Sequence, residues 1–263
     1  MSRAGFPDLF SRDASAYAQF RPRYPAALFE WIAALPARRR MALDCATGNG
    51  QAADMLAGHF ALVLALDASR PQLRAATRAT GVYYLAAVAE SSPVRSGAVD
   101  LISVAQAFHW LDRPRFFEEV ERIAAPGAAL AIWGYGRLQA EPAIAALINR
   151  FHDETVGPYW SAQRRLVEEG YRGFALPMEE VAAPPFAIEA QLGLPELLGY
   201  LRTWSAVGKY LQVLGQDPVE SLEPQLAAVW GDPAARHPIR WPLFVRAGRW
   251  RSERLSPPGR TSP

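Results

Sequence analysis

Cysteine is nearly absent from this chain of 263 residues, which carries only Cys45. No disulfide can form within it, and that suits a reducing compartment. Lysine is reduced to Lys209, so the other 27 of the 28 basic residues are arginine, a bias to which we attach no function. Charge of one sign is missing as well: the formal net charge is +2, and nothing calls for a polyanionic partner. The histidines, at 59, 109, 152 and 237, have no short-range ligand spacing, so no metal site is expected. Long apolar runs are lacking too. The longest uncharged stretch, Ile123 to Gly136, is too short to span a bilayer and contains Pro126 and three glycines. The first residues, "MSRAGFPDLFSRDASAYAQF", hold no apolar core of a secretory signal. The expectation is a soluble, cytoplasmic protein that handles a small molecule, with no nucleic acid and no membrane as partner. Oligomeric state is left open.

What the chain does have is apolar residues, 50% of the total, arranged in a legible alternation. "ALVLALDAS" is a continuous apolar run ending in Asp67, as befits a strand buried on both faces. "RPQLRAATRAT" is an amphipathic helix, "VYYLAAVAE" a strand, "VDLISVAQAFHW" a strand and loop, "RPRFFEEVERIA" a helix and "AALAIWGYG" a strand. Alternating strands and helices predict a parallel sheet covered on both faces, with five strands between about 41 and 136. After Gly136 the alternation stops. Helical segments rich in aromatics and arginine follow, among them one long helix in "LPELLGYLRTWSAVGKYLQVLG", and "IRWPLFVRAGRW" closes as a strand.

The chemistry concentrates at "ALDCATGNGQAADML". Glycine takes positive φ and lets a ligand approach the backbone. A strand–glycine–helix junction makes a cradle for a nucleotide-like cofactor at the sheet edge. Asp67, 17 residues after Gly50, is placed to accept both ribose hydroxyls. Gly48 to Ala53 also fits G-x-G-x-x-A, the dinucleotide pattern. Asp44, just ahead of the loop, opposes a pyrophosphate and suits a cationic ligand such as a sulfonium or ammonium group.

"LDCATGNGQAA", "ALDAS", "VAESSPVRSGAVDLISVAQAFHWLD" and "PGAALAIW" together resemble the class I S-adenosylmethionine-dependent methyltransferases. More narrowly they resemble the methyltransferase-type-11 group that includes trans-aconitate methyltransferase-like proteins. "FSRDASAYAQFRPRYP" and "WPLFVRAGR" extend the resemblance over most of residues 10–250. The resemblance implies S-adenosyl-L-methionine as cofactor. It places Asp44, Ala46, Gly48 and Gly50 along the methionine part, Asp67 with Ala68 at the ribose, and Ala89 with Glu90 at the adenine. Gln106 falls near the sulfonium, while Tyr17 and Arg21 belong to a segment that folds over the cofactor. Ala46 departs from the glycine common in the family, and alanine disfavours positive φ.

His109, beside Trp110 at the ligand-binding edge, is the candidate catalytic base; pocket wall is the other reading. A base is needed only where the acceptor carries a proton. Trp110, Tyr135, Trp160, Arg164, Trp204 and Tyr210 are candidate acceptor contacts, since arginine holds carboxylates bidentately. "QRRLVEEG" reads equally as a solvated helix face. The expected fold is α/β: a Rossmann-like, doubly wound, seven-stranded, mostly parallel sheet with a helical lid insertion. One methyltransferase domain spans 1–250: N-terminal lid helices at 8–35, a cofactor-binding core at 41–137, a substrate lid at 138–230 and a final strand at 231–250. A disordered tail is expected at 251–263. The expected activity is methyl transfer to a small molecule, through the oxygen of an organic acid. Two alternatives stand beside it, an NAD(P)-dependent oxidoreductase and a catalytically silent cofactor-binding protein.

Overall fold

The computed structural model describes residues 19–76 and 78–251. The expected helices before residue 19 and the tail from 252 onward lie outside the described residues, as does Tyr17.

Five strands, β1 (Met41–Cys45), β2 (Leu62–Asp67), β3 (Val82–Ala86), β4 (Val99–Ala105) and β5 (Ala124–Tyr135), run parallel in the order β3-β2-β1-β4-β5. The order reverses at β1, so the β1 and β4 ends open a crevice where ligands bind in open α/β sheets. Because strand side chains alternate between faces, the two faces bury different sets. Ala42, Val63, Ala65, Leu101, Ala129, Ala131 and Trp133 meet helices α1 (Ala26–Ala33) and α2 (Gln51–Leu56) on one side. Leu43, Leu66, Ile102, Val104, Leu130 and Ile132 meet α4 (Arg113–Ile123) on the other, α3 (Arg70–Arg74) lying between β2 and β3 in sequence.

The sheet has eight strands where seven were expected. The segment 178–192 supplies two strands, β6 (Met178–Val181) and β7 (Ala187–Leu192). Pro184-Pro185 explains the break, since proline has no N–H for the ladder. Both pair antiparallel with the long β8 (His237–Trp250), which itself pairs antiparallel with β5.

The segment after β5 supplies α5 (Pro142–Arg150), a π-helical turn at Phe151–Thr155, α6 (Arg164–Glu168), α7 (Leu194–Arg202), α8 (Ser205–Leu214) and α9 (Pro218–Trp230). These surround their own apolar cluster, centred on Tyr200, Leu201, Trp204, Leu226 and Trp241. The long helix read at 194–215 is thus two. It breaks at Thr203-Trp204, where Trp204 is extended at ψ 134° and the Thr203 hydroxyl donates to the Tyr200 carbonyl at 2.6 Å. The described part of the 8–35 segment divides its work. Helix α1 buries Leu28, Phe29 and Ile32 under the sheet, while Arg21 and Tyr24 face a cavity.

Candidate active site

Two cavities meet at the crevice. The first, about 870 Å³, lies over the glycine loop and is lined by Arg21, Tyr24, Ala46, Thr47, Gly48, Asp67, Gln72, Gln106, Trp110 and Tyr135, among others. The second, about 760 Å³, reaches under the helices after β5 and includes His109, Arg137, His152, Trp160, Arg164, Tyr200 and Trp204. Arg21, Gln106, Trp110 and Tyr135 line both, so they form the wall between them.

The first cavity is shaped by backbone. Ala46, Gly48 and Gly50 take φ of 52°, 57° and 85°, the left-handed region. Gly50 could not be otherwise: a Cβ there would stand 2.2 Å from the Tyr84 hydroxyl. Asp67 accepts the Gly48 and Ser69 amides at 2.8 and 2.7 Å, tying the loop to the end of β2. Burial raises its pKa, and those two amides oppose the rise. A carboxylate has about four lone-pair sites, so two amides leave room for a ligand's hydroxyls.

Asp44 is placed differently from the expectation. It lies outside the lining, fully buried behind the loop, accepting the hydroxyls of Thr47 at 2.5 Å and Ser103 at 2.7 Å. Burial pushes its pKa up to about 6 against those bonds. Gly50 turns the chain without lining the cavity. Ala68 is exposed and off the lining; Ala89 is buried in the core beneath α4. Glu90 also stays off the lining, because its carboxylate accepts the Asp112 amide at 2.9 Å.

Gln106, at φ 54°, continues the β4–β5 pairing with its side chain. Its carboxamide accepts from the Tyr135 amide and donates to the Tyr135 carbonyl, both at 2.9 Å. Gly134 makes the room, since a Cβ there would meet the Gln106 oxygen at 2.2 Å. Arg21 donates to the Tyr135 hydroxyl and the Thr203 carbonyl, each at 2.9 Å, which locks the shared wall to the helices above.

In the second cavity Arg164 lies over Trp160, 4.6 Å from the ring centre, with Nε 3.4 Å from Glu168. Its neighbour Arg165 is exposed and pairs with Glu169 at 2.6 Å, so the "QRRLVEEG" helix has one arginine in and one out. Arg137 grips Asp153 through two hydrogen bonds of 2.5 and 2.7 Å, which helps hold that carboxyl down to about 2. His152, absent from the candidates above, accompanies them. It packs against the rings of both Trp160 and Trp204, with Nδ1 2.9 Å from Asp153. Burial lowers its pKa. Tyr210 instead packs on Tyr159 at 4.9 Å and stays off the lining. His109 has its pKa pushed down to about 3, first by burial and then by Arg164, so its imidazole is neutral at neutral pH. Its Nδ1 is 2.9 Å from the hydroxyl of Tyr171, a residue that sequence reading did not flag.

Comparison with known proteins fits this geometry. A model described as "Methyltransferase domain" matches residues 43–132. A solved structure from Anaeromyxobacter dehalogenans, provisionally described as a type II methyltransferase, is 41% identical with a TM-score of 0.81, covering 88% of this chain and 98% of that one. A provisionally named methyltransferase of Dictyostelium discoideum is 29% identical over 84% of this chain and 86% of its own. An uncharacterized methyltransferase of Mycobacterium bovis is 36% identical over 47% of this chain and 50% of its own length. The chain belongs to the class I S-adenosylmethionine-dependent methyltransferases. It is an enzyme, and S-adenosylmethionine is its methyl donor. Neither the oxidoreductase nor the silent-binder alternative finds support in these likenesses. Among the described residues, no helix is long and apolar enough to cross a membrane.

Proposed function

We propose that the methyl group goes to a carboxylate oxygen of a small organic acid. One observation carries the reading: among the described residues the second cavity is lined by Arg21, Arg137 and Arg164 and by no aspartate or glutamate, Asp153 and Glu168 pairing with two of the three from outside the lining. A concave, partly desolvated site with that balance favours an anion, and Arg164 is its best placed holder. Trp160 and Trp204 give the acid's body an apolar wall. The sequence resemblance to the group that includes trans-aconitate methyltransferase-like proteins points the same way.

In this reading Ala46, Gly48 and Asp67 hold the donor in the first cavity, with Arg21, Gln106, Trp110 and Tyr135 as the partition against which donor and acceptor meet. Asp44 supports the loop from behind. Residues 138–230, with the described part of 8–35, act as the cover that keeps water out. When bound, S-adenosylmethionine supplies a methyl on a positively charged sulfur, transferred without its bonding pair. A carboxylate brings its own lone pair and has no proton to lose, so orientation and exclusion of water do most of the work.

The test is chemical. Purified protein is incubated with donor labelled in its methyl group and a panel of small carboxylic acids, and products are treated with mild alkali. Methyl esters release labelled methanol. Label that stays in alkali-stable ethers or amines refutes the acid reading while leaving the methyltransferase assignment intact.

A further inference from the structure

Tyr171 is 1% exposed, and two consecutive left-handed residues put it there: Gly170 at φ 60° and Tyr171 itself at φ 56°. Its ring stands edge-on to Phe108 and Phe244, at 5.3 and 5.1 Å. Its carbonyl accepts Arg246 at 2.6 Å, and the same guanidinium nitrogen reaches the Phe174 carbonyl at 2.6 Å while Glu180 pairs with the group from outside. A non-glycine residue held at positive φ by this much packing is a feature to be explained.

The hydrogen bonds of the phenol give the explanation. Burial raises its pKa, so it keeps its proton. Among the described residues, the hydrogen-bond partner of the phenol is His109 Nδ1 at 2.9 Å. A buried O–H needs an acceptor. Nδ1 can be that acceptor only if it carries no proton, and a neutral imidazole then carries its hydrogen on Nε2. Nδ1 is thus engaged with Tyr171, while the ring lines the second cavity beside Gln106 and Trp110.

We infer that Tyr171 is a positioning residue that fixes His109 as an Nε2–H donor toward the acceptor, so that His109 orients an ionised oxygen and removes no proton. This rests on the proposed acid acceptor and deepens it. With Arg164, the end of the cavity next to the shared wall offers donors to a carboxylate. An acceptor that must lose a proton finds no base at His109.

The experiment is nitrogen-15 NMR of the imidazoles at neutral pH, with S-adenosylhomocysteine bound. Only four histidines need assignment, by loss of signal in His59→Gln, His237→Gln and His109→Asn. The expected wild-type result is His109 as the Nε2–H tautomer, favoured roughly tenfold or more, the weight of one hydrogen bond. In Tyr171→Phe that preference falls toward parity. A wild-type His109 protonated on Nδ1 overturns the inference, even if Tyr171→Phe does not fold. So does a tautomer ratio unchanged in a folded Tyr171→Phe. The tautomer is read without any acceptor, so failure of the acid reading remains a separate result.

Discussion

The two cavities share a wall but are built by opposite means. The proposed donor side is made of main chain: left-handed positions at 46, 48 and 50, two amides on Asp67 and a carboxamide posing as a strand. The proposed acceptor side is made of long side chains from helices and loops after β5, joined in pairs such as Arg137–Asp153 and Arg164–Glu168. Main chain at a sheet edge tolerates little change of shape, and that is appropriate to a donor that never varies. Side chains on separate helices can be exchanged without disturbing the sheet, and that is appropriate to an acceptor on which enzymes of one fold differ. Substitutions on one side should therefore leave the other side's binding untouched.

The largest effect is expected from Arg164→Leu. Removing a partly buried cation from an anion's site costs about 2–5 kcal/mol. The kcat/KM for an acid acceptor should fall about thirtyfold or more. Calorimetry with S-adenosylhomocysteine should give the wild-type dissociation constant. A donor affinity that falls in parallel would mean the two sides are not separable.

The reciprocal substitution, Asp67→Ala, should weaken donor binding by about 1.5–3 kcal/mol, the range for hydrogen bonds to a charged group. Part of that loss comes through the loop, because the Gly48 and Ser69 amides lose their acceptor as well. Isotope-dilution measurement of acceptor KM at saturating donor should find it unchanged. An unchanged donor constant would remove Asp67 from the site.

Asp44 provides a test on pH. Its pKa is raised from 3.8 to about 6 in the folded protein, so between those values the folded state holds more proton than the unfolded one. Stability contributed by the protonated form is therefore lost as pH rises through this window, and above it the penalty is constant. At ~1.4 kcal/mol per pKa unit the loss is on the order of 1–3 kcal/mol. The buried His109 and His152, with lowered pKa values, make stability rise with pH over the same window, so Asp44 is read as a difference: in urea unfolding at a series of pH values, Asp44→Asn should gain stability relative to the wild type as pH rises through the window. A difference between the two proteins that does not change with pH would mean the carboxylate is better solvated than its burial implies.

The same contrast governs what could be read from the sequence. The donor side was legible because its signals are local: an apolar strand, glycines needed for positive φ, and an acid at the next strand tip all lie within about thirty residues. Asp44, Ala68, Ala89 and Glu90 stand off the lining of the first cavity, a matter of which way a side chain turns, and spacing does not fix that. In the second cavity, Trp160, Arg164 and Trp204 were named by residue type, and the fold brings them together. His152 and Tyr171 were not, because each gains meaning from partners brought in by folding: Tyr171 is 62 residues from His109. Arg164 and Arg165 could not be told apart until the helix carrying them had a face. The split of the last strands, by contrast, was written in Pro184-Pro185.

The smallest expected effect concerns Ala46, the donor-loop position where this chain departs from the family's common glycine. Its φ of 52° places an alanine where the Cβ crowds the following carbonyl, a cost of roughly 1–2 kcal/mol. Glycine removes that strain but gives the unfolded chain more freedom, which takes back ~0.5–1 kcal/mol. Ala46→Gly should thus raise stability by about 0.5–1 kcal/mol, readable as a small increase in Tm. Donor binding should tighten or hold, since the side chain lines the first cavity and its loss frees space there. If Ala46→Gly instead weakens donor binding with Tm unchanged, the methyl group is a contact for the donor rather than a strain on the loop. The main-chain side would then be less independent of its side chains than the comparison holds.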